Sequence, residues 1–237
     1  VSPINAQARA LVEALRAELA AHGPALPVYW GNRNWRPLLA DTLAQMAAGG
    51  VRRGLAFVTS AFGSYSSCRQ SLDDIARARA EVGAHAPAVD KLRLFWNHPG
   101  FIEPVAERVE AALASLPVPS RTTAHLAFTA HSVPLAMAQT SVYERQLEAA
   151  CALIAERITS SHPWQLVYQS RSGPPSVPWL GPDIREHLAT LKAAGVTDVV
   201  VAPIGFVSDH LEVRWDLDVE ASARARALGL RFIRTET

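Results

Sequence analysis

Short runs of β-branched or aromatic residues alternate with longer helical patterns along the whole chain, and this alternation restricts the fold more than any other feature. Strands are expected at residues 28–30, 55–59, 92–96, 125–130, 165–169, 198–202 and 230–234. Helices are expected at 6–21, 37–48, 71–82, 99–115, 142–158, 182–194 and 210–228. Several of the helices run into glycine (Gly49-Gly50, Gly83, Gly195, Gly229), the residue suited to a left-handed C-terminal cap. Strands that alternate with helices pair in parallel, because each return crossover carries a helix onto a sheet face. The expected class is α/β: two Rossmann-like halves, residues 1–90 and 91–237, each a parallel sheet flanked by helices. The Pro/Ala-rich stretch at 83–90 supplies the punctuation between them.

Composition serves mainly to exclude. The 237 residues are 49% hydrophobic with a formal net charge of +1, and their Lys and Arg are scattered, so no phosphate-binding stripe forms and no nucleic-acid partner is expected. No apolar run approaches the roughly 20 residues a membrane-spanning helix needs. The two cysteines, Cys68 and Cys151, form no CxxC pair, and a reducing cytoplasm is the expected compartment. Ser2-Pro3 reads as a helix cap, so the sequence opens directly into a helix. A strand ending at Arg234 closes the sequence, with nothing after it to pack against. A piece is expected to be missing at each end, leaving the first half incomplete.

Ligands of open α/β sheets gather beyond the carboxyl ends of the strands. Three such ends carry unusual polar groups. Phe128-Thr-Ala-His-Ser-Val-Pro134 puts the His131 imidazole directly after an apolar strand, where a base or metal ligand belongs, although a lone histidine there also reads as structural. In Pro203–Glu220, the carboxylates Glu212, Asp216 and Glu220 recur every four residues and share one helix face. Such a row suits a hard cation, or is a solvated face balanced by Arg214, Arg224 and Arg226. Val207, Leu211, Val213 and Trp215 argue for a buried segment and against the solvated face. Between Tyr168 and Asp183, four prolines and two glycines make a rigid loop in which Trp179 offers either a pocket wall or core packing. Cys151, inside an apolar helical run, reads as packing.

Taken together, the His-Ser-Val-Pro element, the Gln-Ser-Arg-Ser-Gly-Pro…Pro-Trp-Leu-Gly-Pro-Asp loop and the Gly-Phe-Val-Ser-Asp-His-Leu-Glu segment resemble ferrochelatases in order and spacing. The opening Val-Ser-Pro-Ile-Asn is similar to a further stretch of that family. The resemblance implies two chelatase-type halves around a cleft that grips a porphyrin. His131 and Glu212 would face each other across the ring centre as catalytic residues and metal contacts. Asp216 and Glu220 would form an outer metal-handling site, and Ser132 and Trp179 would touch the porphyrin. Fe²⁺ would be the substrate metal, and coproporphyrin III is favoured over protoporphyrin IX.

Cys68 resembles the position through which actinobacterial members anchor a [2Fe–2S] cluster. The family's first strand and glycine-rich loop, and the cysteines that would complete the cluster, have no counterpart here, so no cluster is expected in this chain. Metal insertion requires two pyrrole protons to leave. A neutral His131 can take one, and Glu212 can take the other or hold the iron. Two rival readings are a cobalt or nickel tetrapyrrole chelatase, and a non-catalytic tetrapyrrole- or iron-binding module.

Overall fold

The structure, a computed structural model, describes residues 2–237, with Ser66 and Ser67 described in backbone only; Val1, the first residue of the family-like opening, lies outside the described residues. The chain divides into two compact units: Ser60–Gly63 and Leu94–Thr237 together with Ser2, and Pro3–Thr59 with Ser64–Arg93.

The larger unit is built on a four-stranded parallel sheet in the order β4-β3-β5-β6, where β3 is His125–His131, β4 Trp164–Gln169, β5 Asp198–Ala202 and β6 Arg231–Arg234. The central strands are near-continuous apolar runs because both of their faces are covered. Side chains alternate between the two faces. Leu126, Phe128 and Ala130 of β3, with Val200 and Ala202 of β5, join a core built with α4 (Pro99–Ser115) and α6 (Tyr143–Ala155). Ala127, Val199 and Val201 face the opposite way. They pack on α7 (Ile184–Ala193) and on the apolar side of the segment running from α8 (Leu211–Val213) to α9 (Ser222–Ala227). Each fully buried Leu or Phe here contributes about 1.5–3 kcal/mol relative to exposure. A short helix, α5 (Leu135–Gln139), follows β3. Asp183 caps α7 by accepting from the Arg185 N–H at 2.8 Å.

In the smaller unit, β1 (Arg53–Ala56) and β2 (Ala88–Lys91) pair in parallel beside α2 (Leu39–Ala48) and α3 (Ser71–Val82). Asp74, 8% exposed at its side chain, is clasped by Arg33 and Arg77. The helix α1 (Ile4–His22) buries none of its residues. Its cap is Pro3 rather than Ser2, with the Pro3 carbonyl accepting from the N–H groups of Ala6 and Gln7.

The α/β class with parallel, helix-flanked sheets is what the alternation predicts. Three elements differ. Residues 28–30 form no strand, because their carbonyls are taken by side chains: Arg16 donates to Val28 and Thr42 to Trp30. The strand expected at 92–96 lies earlier, at Ala88–Lys91, where it pairs with β1. The apolar signal at 92–96 instead comes from core packing, with Phe95 set edge-on to Phe101 at 5.7 Å.

The third difference is residues 210–228. This segment is not one α-helix, since Arg214–Ala221 between α8 and α9 is π-helical. Here Val213, Leu217, Ala221 and Ala225 are all buried at strict four-residue intervals. A 3.6-residue turn advances such a series by about 40° per step, or about 120° over three steps. Wider i→i+5 turns hold the series on the sheet.

Candidate active site

The strand β3 delivers His131 to its carboxyl end and then stops. Ser132 N–H makes a last bond to the Gln169 carbonyl at 2.8 Å, and Pro134 has no N–H to continue the ladder. The backbone there is fixed from below, where the buried Tyr143 hydroxyl donates to the His131 carbonyl at 3.0 Å. The imidazole is fixed by its own neighbour. Its Nδ1 is bonded to the Ser132 carbonyl, which can only accept, so Nδ1 carries the hydrogen. The remaining nitrogen, Nε2, lies 3.4 Å from Glu212 Oε1, with the two side chains 36% and 49% exposed. Nε2 therefore faces a carboxylate in a position open to solvent.

Two local features bring Glu212 to that point. The loop before α8 rests on β3, with Gly205 N–H donating to the Thr129 carbonyl at 3.0 Å. A Cβ at Gly205 would lie 2.7 Å from both Cα and Cβ of Ala130, so any larger residue would push the loop away from His131. His210 then caps α8 by accepting from Val213 N–H at 3.4 Å, with its ring edge-on to Phe206 at 5.3 Å. Burial lowers the His210 pKa, opposed by Glu212, and His131 lowers it further.

Each carboxylate of the row meets a different partner. Glu212 faces His131, Asp216 accepts from the Ser170 hydroxyl, and Glu220 pairs with Arg185 at 3.0 Å. These partners come from β3, the β4–α7 loop and α7, so the row is not balanced by Arg224 and Arg226 along its own helix as a plain solvated face would be. The burial expected of the segment is only partial: Val213 is buried, whereas Leu211 and Trp215 are 61% and 58% exposed. Among the described residues, no three His, Cys, Asp or Glu side chains converge into a ready-made metal site.

Ser132 is buried, and its hydroxyl donates to the Leu180 carbonyl at 2.7 Å, tying the Trp179 loop to the end of β3. Trp179 pairs through its backbone with Pro134 and lines a cavity of about 440 Å³ with Ser132, Tyr168, Arg171 and Arg185. Among the described residues, the buried indole N–H finds no acceptor. Cys68 is half-buried in the π-helical turn Ser66–Gln70 of the smaller unit. Cys151 is fully buried in α6, where desolvation pushes its thiol pKa well above the ordinary range. A [2Fe–2S] cluster takes four protein ligands, and a packed Cys151 with one half-buried Cys68 does not make such a site within this sequence.

The ferrochelatase family model matches residues 1–237. The chain belongs to the ferrochelatase family. Among its relatives, the coproporphyrin III ferrochelatase of Frankia alni is 56% identical over 247 residues, covering all of this chain and 63% of that protein. The coproporphyrin III ferrochelatase of Streptomyces coelicolor is 52% identical over 254 residues, covering all of this chain and 68% of that protein. The chain thus spans about two thirds of the length of these ferrochelatases. Among solved structures, SirB from Bacillus subtilis with Fe³⁺ superposes with a TM-score of 0.69 at 12% identity, over all of this chain and 83% of SirB, and so shares the fold.

The sequence points to His131 and Glu212, which the structure brings within 3.4 Å, but not to the groups that hold this pair and the rest of the acidic row. Gly205, Ser170 and Arg185 carry no periodic signal and meet the site only through tertiary structure, while Tyr143 lies on the buried face of α6 and reads as core. The π-helical segment did leave a signal, in the strict four-residue recurrence of both its apolar and its acidic residues.

Proposed function

We propose that this protein inserts Fe²⁺ into a porphyrin, and that His131 and Glu212 are its catalytic residues. The observation that carries the proposal is the tautomer-fixed imidazole facing a carboxylate at 3.4 Å, both reachable from solvent. With Nδ1–H committed to Ser132, a neutral His131 has only Nε2 free, and that atom can accept a pyrrole proton. Glu212 lies close enough to share the proton or to receive the second. Asp216 and Glu220, on the same segment, would hand the hydrated cation toward the pair and remove protons from it. Membership of the family supports this reading, as do relatives named coproporphyrin III ferrochelatases, which favour coproporphyrin III over protoporphyrin IX as substrate.

The remaining assignments follow the same reading. The site belongs to the second of two α/β halves that meet near residue 90, and Ser132 and Trp179 belong to the porphyrin wall. The compartment is the cytoplasm, and no helix of the described residues is long and apolar enough to cross a membrane. Cys68 would be one ligand of a [2Fe–2S] cluster in an intact protein that supplies three more thiolates. Iron, acid-labile sulfide and visible absorption that Cys68→Ser removes would bear that out; colourless intact protein would end it.

The decisive test is anaerobic turnover of the intact protein with Fe²⁺, Co²⁺ or Ni²⁺ against coproporphyrin III and protoporphyrin IX. Catalytic metallation fastest with Fe²⁺ and coproporphyrin III is the expected result. Stoichiometric binding without turnover would reduce the protein to a tetrapyrrole carrier, and a preference for cobalt or nickel would assign it to a different chelatase.

A further inference from the structure

A single guanidinium gathers the stretch of chain that carries Glu212. Arg234, at the end of β6, is 14% exposed at its side chain. Its Nη1 and Nη2 donate to the two oxygens of Asp209 at 3.1 and 3.2 Å. Its Nε and Nη2 donate to the two oxygens of Asp218 at 2.6 and 3.2 Å. The second hydrogen of Nη1 goes to the Thr235 carbonyl at 3.1 Å. All five N–H donors are used, four of them in two bidentate forks.

The two carboxylates bracket the site: Asp209 precedes the capping His210, and Asp218 lies within the π-helical segment, so Glu212 sits between them. The only other cation on this cluster among the described ion pairs is Arg214, 3.5 Å from Asp218. Burial pulls the Arg234 pKa down, and hydrogen bonds and charge from both aspartates more than reverse it, so it lies above its ordinary value.

We propose that Arg234 is a positioning residue for metal insertion, fastening the loop before α8 and the π-helical segment to β6 so that Glu212 stays in register with His131. The proposal rests on the catalytic reading of that pair given above. Lysine keeps the charge but offers three donors from one centre and cannot form two planar forks, so Arg234→Lys separates charge from geometry.

The test uses the intact protein. Turnover of Fe²⁺ with coproporphyrin III is measured for wild type and Arg234→Lys, porphyrin affinity by fluorescence quenching, and hydrogen exchange across residues 206–221. The expected result is cooperative melting and porphyrin affinity within about twofold of wild type, with kcat about 10²-fold lower, the scale of loss from a misplacement of about 1 Å. Exchange should quicken in 209–218 and stay unchanged in β3 and β5. A folded variant with wild-type kcat, unchanged exchange at 209–218, or kcat and porphyrin affinity lost together would overturn the proposal. Should Arg234→Lys fail to fold, Asp209→Asn and Asp218→Asn each cut one fork at constant shape, and the same outcomes decide. If the wild type itself shows no metallation, the catalytic reading falls, and the exchange comparison alone decides whether Arg234 is the clasp.

Discussion

Histidines stand at both ends of β3, and the two ends treat them in opposite ways. His125 opens the strand, buried, with its Nε2 3.1 Å from Nε2 of the buried His187. Burial, and then the neighbouring imidazole, pull its pKa down to about 4. His131 closes the strand at the carboxyl end, half-exposed, facing a carboxylate. The residue type and the strand are the same, and the surroundings differ. At the amino end two imidazoles satisfy one another, one donating and one accepting, in a space that excludes charge. At the carboxyl end the imidazole is locked at one nitrogen, and the other faces a carboxylate. Position along a parallel strand therefore separates a buried, mutually paired histidine from a half-exposed one that faces a carboxylate.

The sharpest way to test this contrast is to remove each imidazole. His131→Ala is expected to lower metallation turnover by 10²–10⁴-fold, the usual loss for a general base, with the thermal midpoint nearly unchanged. Retention of more than about a tenth of wild-type turnover would break the assignment. Glu212→Gln should come next, lowering kcat by at least about tenfold with porphyrin affinity intact, because the amide can neither take a proton nor attract a cation.

At the other end the effect moves from rate to stability. His125→Ala leaves the His187 ring buried without its partner and is expected to cost about 1–3 kcal/mol, read from denaturant unfolding, while kcat per folded molecule holds. A large loss of kcat in the folded His125 variant would erase the distinction between the two ends. The smallest effect concerns pH. The folded His125 has a depressed pKa, so the unfolded chain binds the extra proton first. Stability is therefore full above about 6.5 and declines as pH falls from there toward about 4. His125→Ala should flatten that decline, and an unchanged acid profile would show that the pair contributes nothing to it.

The same contrast explains what could be read in advance. The strands β3 and β5 were legible because burial on both faces leaves unbroken apolar runs. The His131 end was legible because a histidine followed by a proline turn stops such a run abruptly. The expected strand at 92–96 failed because apolar residues in a short run report burial, and burial comes from packing as readily as from a sheet. Phe95 and Trp96 pack into the core, while the strand lies just upstream, where Asp90 pairs with Arg53. Partners such as Arg185 and Arg234 were illegible because a surface-type residue in sequence gives no hint of which distant carboxylate it will meet. The acidic row could be read as a row, but its distribution over three separate partners could not.

The Nδ1–H bond to Ser132 has one more consequence. With that hydrogen fixed, a neutral His131 and an ionised Glu212 present only lone pairs to whatever lies between them. A free-base porphyrin brings two N–H donors to that place, and a metallated one brings none. In the proposed activity, the hydrogen bonds that draw the substrate ring toward the pair cannot form with the product. In that activity the site would distinguish a finished ring from an unfinished one by counting its donors, and insertion of the metal would itself be the signal for release.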